Sequence, residues 1–252
     1  MQKHTKARLV ALNHQFYQNF SNSFAATRRR IQPGIRRLLA QIPQKGSWLD
    51  LGCGSGTLAM EWAMQQRQGL YLGVDYSSSL LGEARAGLQA AGGCDSCLRV
   101  EFAQLELDQP GWVNLLPAES WDGVLSFAVL HHIPGAVERL RLLKEVHSLL
   151  PEGACFIHSV WQFQNSPRLL ARVLPWETAG FSADELEEGD TLLDWRAPDP
   201  QAPVEPALRY VHRFTLEELT GLASAAGFTV NESFEADGQG GKLGLYQVWQ
   251  AL

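Results

Sequence analysis

A chain of 252 residues with 45% hydrophobic and 19% charged side chains can bury a full core and falls in the globular range. No apolar run approaches the ~20 residues of a membrane span, and the start, Met-Gln-Lys-His-Thr-Lys, lacks the apolar stretch of a secretion signal. The expectation is a soluble cytoplasmic protein without membrane attachment. Net charge is −6, yet residues 1–45 hold nine Lys/Arg and no Asp/Glu, while the rest carries twelve basic and twenty-seven acidic side chains. Such asymmetry suits either an anionic partner docking at one end or a basic segment lying against an acidic body.

Residues 9–25 repeat apolar groups at helical spacing (Leu9, Leu12, Phe16, Phe20, Phe24), which predicts an amphipathic helix. Aromatics at this spacing are ordinary core, so Tyr17, on the neighbouring face, is the one offered to a cofactor. Arg28, Arg29 and Arg30 follow the helix, and Pro33-Gly34 starts a second one over 34–42. Next, Trp48, Leu49 and Leu51 read as a buried strand feeding glycines at 52, 54 and 56, with a helix opening at Thr57. Glycines there let the backbone turn sharply and pass close to a ligand, and the helix aims its free N–H groups at the same place. Asp50, inside the strand, is a buried carboxylate in need of partners. A second strand, 70–74, ends at Asp75, where a carboxylate reaches a ribose diol, and Tyr76 follows. The bare alternative is a tight strand–helix connection holding nothing. The glycine spacing is GxGxG, not the dinucleotide GxGxxG, and nucleoside binding is the reading.

Helices 57–68 and 78–91 alternate with strands 70–74 and 98–103. Among the cysteines at 53, 94, 97 and 155, Cys94 and Cys97 have CxxC spacing, but no second pair completes a zinc site and no metal is expected. The run Val124 to Leu130 is apolar on both faces and predicts a central parallel strand. It carries Phe127 and then His131 and His132 to the carboxyl end of the sheet, where ligands gather. Adjacent histidines in an extended strand point to opposite faces, so one faces a substrate as base or hydrogen-bond donor and the other packs inward. Helix 135–150 and strand 154–160 follow.

Residues 162–206 interrupt this rhythm with prolines at 167, 175, 198, 200, 203 and 206 and an acidic run from Asp184 to Asp190. A lid or substrate wall is expected there, the acidic run being a solvated face. Thr215-Leu216-Glu217-Glu218 reads as a capping box opening helix 215–226, stopped by Gly227. Strands 228–234 and 243–250 close the chain as an antiparallel hairpin. The fold class is α/β: a doubly wound, seven-stranded, mostly parallel sheet with a C-terminal antiparallel hairpin and N-terminal helices.

The turn built from Asp50, Gly52, Cys53, Gly54 and Gly56, followed by Asp75, resembles motifs I and II of the class I S-adenosylmethionine-dependent methyltransferases. Phe102-Ala103-Gln104-Leu105-Glu106-Leu107 resembles the third motif, with Glu106 where that family has Asp. The resemblance covers roughly residues 45–250. It implies S-adenosylmethionine as cofactor, S-adenosylhomocysteine as product, and one methyltransferase domain over 1–252. Its parts are a basic helical cap (1–45), a cofactor-binding core (46–161), an inserted lid (162–208) and a closing helix and hairpin (209–252).

On the substrate side, Phe24 to Pro33, Ala128-Val129-Leu130-His131-His132, Leu208-Arg209-Tyr210-Val211-His212 and Gly189-Asp190 to Trp195 resemble segments of the tRNA methyltransferases that esterify carboxymethyl groups on wobble uridine. That likeness implies a carboxylate acceptor clamped by Arg28 and Arg209. It also implies a tRNA partner and a small activator protein. Tyr210 and His212 are offered to the acceptor pocket, and Trp161 and Trp195, as aromatic rings, to stacking on a base or ring, with core packing as the alternative. Arg29, Arg30 and Gln32 depart from it, standing where the family is more aromatic. The rivals are a small-molecule methyltransferase and a nucleoside-binding subunit without turnover.

Overall fold

The computed structural model describes residues 1–26, 30–93, 97–195 and 207–252, except for the side chains of 21–26. In chain order the helices are α1 (Lys3–Ala26), α2 (Pro33–Leu39), α3 (Thr57–Met64), α4 (Ser78–Ala90), α5 (Ala136–Ser148), α6 (Pro167–Leu170) and α7 (Leu216–Ala226). The strands are β1 (Lys45–Leu51), β2 (Gln68–Asp75), β3 (Leu98–Gln104), β4 (Gly123–Phe127), β5 (Cys155–Trp161), β6 (Val173–Leu174), β7 (Asp190–Trp195), β8 (Ala207–His212), β9 (Phe228–Ala236) and β10 (Gly244–Ala251).

Seven strands form one sheet in the order β3-β2-β1-β4-β5-β10-β9, parallel except where β10 runs against β5 and β9. This is the expected doubly wound sheet with its closing hairpin. Both faces are covered because strand side chains alternate. Leu49 and Leu51 join a core with Leu143 and Leu219 of α5 and α7, whereas Trp48 packs with Leu38 and Trp62 of α2 and α3. Asp50 lies on the second face, beside Tyr71. Helix α3 ends earlier than 68 because Gln66 turns left-handed at φ 54°. That turn points the buried Arg67 guanidinium at the carbonyls of Leu39, Ile42 and Pro43, closing α2 as well.

Several further expectations need correction. The apolar run 124–130 is not all strand: β4 stops at Phe127, Ala128 turns left-handed at φ 60°, and Leu130–His132 form a 3-10 turn. The turn seats Val129 against the glycine loop, where a Cβ on Gly52 would come 2.3 Å from its Cγ2. The inserted stretch builds a second antiparallel sheet, β6-β7-β8, and α1 lies across it. Phe16 packs on Trp195, Leu9 on Phe181 and Tyr210, and the buried Asn13 amide bonds both backbone groups of Tyr210 at 2.9 and 3.2 Å.

The acidic run is not merely a solvated face. Asp190 accepts from the Tyr210 hydroxyl at 2.7 Å and pairs with His212 at 2.8 Å, and Glu187 holds the buried Arg139 at 3.0 Å. Thr215 does cap α7, but Glu218 turns away from the expected box to His212 at 3.0 Å. Three of the described basic residues of the N-terminal segment pair with the acidic body: Lys6 with Glu138 and Arg37 with Glu232, both at 2.6 Å, and Arg8 with Glu185 at 3.8 Å.

Candidate functional site

A cavity of ≈ 470 Å³ opens at the carboxyl ends of β1, β2, β4 and β5, with α1 forming one wall. Its floor is the glycine loop. Gly52 and Gly54 have φ of 71° and 54°, a region costly for residues with a Cβ. At Gly54 a Cβ would meet nothing within 4 Å, so the backbone there borders open space. Gly56 does a different job from the one expected: it is absent from the cavity wall, and a Cβ on it would sit 2.7 Å from that of Ala84, so it lets α4 pack close.

Two acids meet at this floor. Burial raises the Asp50 carboxyl from 3.8 to about 7, against the pull of the Tyr71 hydroxyl that donates to it. Burial also raises Asp75, opposed by backbone N–H groups, with Gly54 and Ser77 donating at 3.0 and 2.9 Å. The Cys53 thiol is pushed up by burial and then by the two neighbouring acids. Tyr76 is covered by the His14 ring, stacked at 4.3 Å with planes 13° apart.

Of the residues singled out from sequence, the cavity brings together Tyr17, Asp50, Gly52, Cys53, Gly54, Asp75, Tyr76, Leu105, Glu106, Phe127, His132 and Trp161. Others lie elsewhere. Gln104 is exposed and supports the Tyr76 carbonyl at 2.9 Å. His131 is buried, its Nδ1 accepting from the Trp161 N–H at 3.2 Å, so it positions that strand end and does not face a substrate. The two histidine rings are neighbours, centroids 4.3 Å apart, because they sit on a 3-10 turn and not on opposite faces of a strand. Arg209 lies behind the cavity wall, its guanidinium 4.5 Å over the Trp161 ring. Trp195, Tyr210 and His212 belong to the packing and ion pairs under α1, away from the cavity. Arg28 falls outside the described residues.

None of the described residues of the insertion after Trp161 lines the cavity; Phe181 and Trp195 of that stretch pack against α1. The walls that sequence reasoning missed are Asn13 and His14 from α1, Arg30, and Asp237 and Tyr246 from the closing hairpin. Asp237 accepts from the Tyr246 hydroxyl at 2.5 Å and the Gly34 N–H at 3.0 Å, joining hairpin to α2. The helical spacing of Asn13 and Tyr17 was the available signal for α1; nothing local marked the hairpin. Among the described residues no cluster could hold a metal ion and no helix is long and apolar enough to cross a membrane.

The sequence pattern described as methyltransferase domain matches residues 24–233. A protein of Encephalitozoon cuniculi, whose name carries methyltransferase and no acceptor, is 32% identical over 219 residues, 86% of this chain and 87% of its own length. The tRNA (carboxymethyluridine(34)-5-O)-methyltransferase of Schizosaccharomyces pombe is 25% identical over 240 residues, 87% of this chain and 89% of that one. Other relatives named as tRNA methyltransferases are longer, and the chain spans 20% to 41% of their length. Among solved structures, the Burkholderia thailandensis 1,6-didemethyltoxoflavin-N1-methyltransferase, with 1,6-didemethyltoxoflavin and S-adenosylhomocysteine bound, matches at TM-score 0.65 and 20% identity, covering 100% of this chain and 91% of that one.

Proposed function

Because the chain belongs to the methyltransferase-domain family, whose pattern spans residues 24–233, we propose that it transfers a methyl group from S-adenosylmethionine held in the cavity. Asp75 carries this reading. It is a buried carboxylate at a strand end, fixed by two backbone N–H groups while bordering the cavity. Carboxylate oxygens accept more than one bond each, and two ribose hydroxyls would contribute roughly 1.5–3 kcal/mol apiece. Tyr76, Leu105 and Glu106 would border the base. Gly52, Cys53 and Gly54 would border the amino-acid end, where an ammonium meets Asp50. A carboxyl raised to about 7 by burial ionises when a cation is brought beside it.

When bound, the donor supplies a methyl group already activated on a sulfonium sulfur. The chain's contribution is alignment, which can be worth about 7–11 kcal/mol of barrier. Tyr17, Phe127, His132 and Trp161 would face the acceptor. One acceptor reading is the carboxymethyl group of a tRNA wobble uridine, supported by the Schizosaccharomyces pombe relative and by the arginine segment containing Arg28. The second is a small molecule, favoured by the pairing of Lys6, Arg8 and Arg37 with carboxylates of the same chain. A cytoplasmic location goes with either.

The test begins with thermal stabilisation by S-adenosylhomocysteine, then offers labelled methyl donor with bulk tRNA and a metabolite extract in parallel. Transfer to tRNA should weaken steeply with salt, and transfer to a metabolite should barely respond. Transfer only after a second protein is added would point to an activator subunit. No stabilisation and no label in either pool would remove the methyltransferase reading.

A further inference from the structure

We propose that Tyr17 and His132 form a proton-accepting pair, so that the acceptor is a protic small molecule: a hydroxyl, a phenol or a ring N–H. The inference rests on the methyl-transfer reading of the cavity and chooses between its two acceptors. His132 Nδ1 lies 3.2 Å from the backbone carbonyl of Tyr210. A carbonyl oxygen only accepts, so Nδ1 carries the hydrogen. In the neutral ring Nε2 is then the acceptor, and the Tyr17 hydroxyl, 2.9 Å away, donates to it. Both side chains are half-buried and both line the cavity. A phenol that donates its own proton keeps lone pairs with which to accept another.

The pair is not needed to fasten α1. That helix is already held by Asn13 on the Tyr210 backbone, by the buried Leu9 and Phe16, and by Lys6 on Glu138. Among the described residues, polar and titratable groups facing the pair are the His131 ring at 4.3 Å from His132, the Tyr76 ring at 6.1 Å from Tyr17, and the Asn13 amide, which donates to the His132 carbonyl at 3.4 Å. The Tyr210 carbonyl behind Nδ1 would stabilise an imidazolium in place.

The step balances without a further reagent. A carbon–oxygen or carbon–nitrogen bond forms to the acceptor as the carbon–sulfur bond breaks. The acceptor's proton passes to the Tyr17 oxygen while the Tyr17 proton passes to His132 Nε2. Tyrosine ends neutral and histidine charged, so the positive charge lost from sulfur reappears on the imidazolium. A carboxylate acceptor has no proton to give and would leave this relay idle.

The test uses the full chain with labelled methyl donor and both acceptor pools, followed by mild base on the labelled product. A methyl ester releases its label as methanol under mild base, whereas a methyl ether or N-methyl group keeps it. Stable label in the metabolite pool, with kcat falling about 100-fold or more in Tyr17→Phe and His132→Gln and partly recovering at raised pH, is the expected result. Affinity for S-adenosylhomocysteine and melting temperature should stay close to wild type in both variants, and a purely structural hydrogen bond would show no recovery with pH. Imidazole nitrogen NMR gives a readout independent of turnover: His132 should be the Nδ1–H form, with its Nε2 signal moved by Tyr17→Phe. Base-labile label, an Nε2–H tautomer, or variants with full kcat would each overturn the pair. Absence of label from both pools would instead fell the methyl-transfer reading, and the pair with it.

Discussion

Asp50→Asn is the substitution that most directly weighs the floor of the cavity. The wild-type carboxyl is fully buried and rises from 3.8 to about 7, chiefly through burial. A folded value above the unfolded one means that the folded chain holds this proton more tightly. The stabilisation is therefore complete below pH 3.8 and drains away as pH climbs through about 7. At about 1.4 kcal/mol per pH unit, the whole span is worth about 4 kcal/mol. Asparagine keeps an oxygen for the Tyr71 hydroxyl and cannot ionise. Urea unfolding of both proteins at pH 5, 6, 7 and 8 should show the variant gaining on wild type by about 3 kcal/mol from the lowest pH to the highest. Taking differences at each pH cancels the other carboxylates. Curves parallel within about 0.5 kcal/mol would refute the reasoning, because such a carboxyl would already be solvated or ionised. The same group couples stability to binding. At pH 7 S-adenosylhomocysteine, through its ammonium, should release up to about half a proton from wild type and none from the variant, measured by calorimetry in buffers of different ionisation enthalpy.

Asp75→Ala should abolish the thermal shift caused by S-adenosylhomocysteine, and an unchanged shift would place the ribose elsewhere. Gly56→Ala combines a φ of 73° with a Cβ 2.7 Å from that of Ala84. It should cost about 1–3 kcal/mol in unfolding experiments even without ligand; a neutral result would mean that α3 and α4 separate freely. Burial opposes charge on His212, but Asp190 and Glu218 outweigh it and raise its affinity for a proton. Its stabilisation is present below the ordinary 6.5 and fades as pH rises through the higher folded value. Asp190→Asn should therefore cost about 3 kcal/mol at pH 6 and less at pH 9, and a pH-independent cost would remove His212 from the explanation.

Local sequence determined the sheet and the floor of the site. Glycines at 52 and 54, Asp50 inside a strand and Asp75 at the end of the next are neighbours along the chain or one crossover apart. Their geometry follows from φ/ψ restrictions and right-handed connections. The side chains over that floor were decided by contacts distant in sequence. The double histidine read as strand because its apolar run has strand character, yet Ala128 turns and only His132 reaches the cavity. Arg209, Tyr210 and His212 looked like substrate residues, but their orientation was fixed when β8 paired with β7 and α1 docked across it. Asp190 similarly became the buried anchor of an ion-pair network rather than part of a solvated run. A charge or an aromatic ring states what chemistry a residue can do. Which way it points depends on the desolvation and pairing available once the second sheet and α1 have packed, and those partners lie up to 197 residues away along the chain.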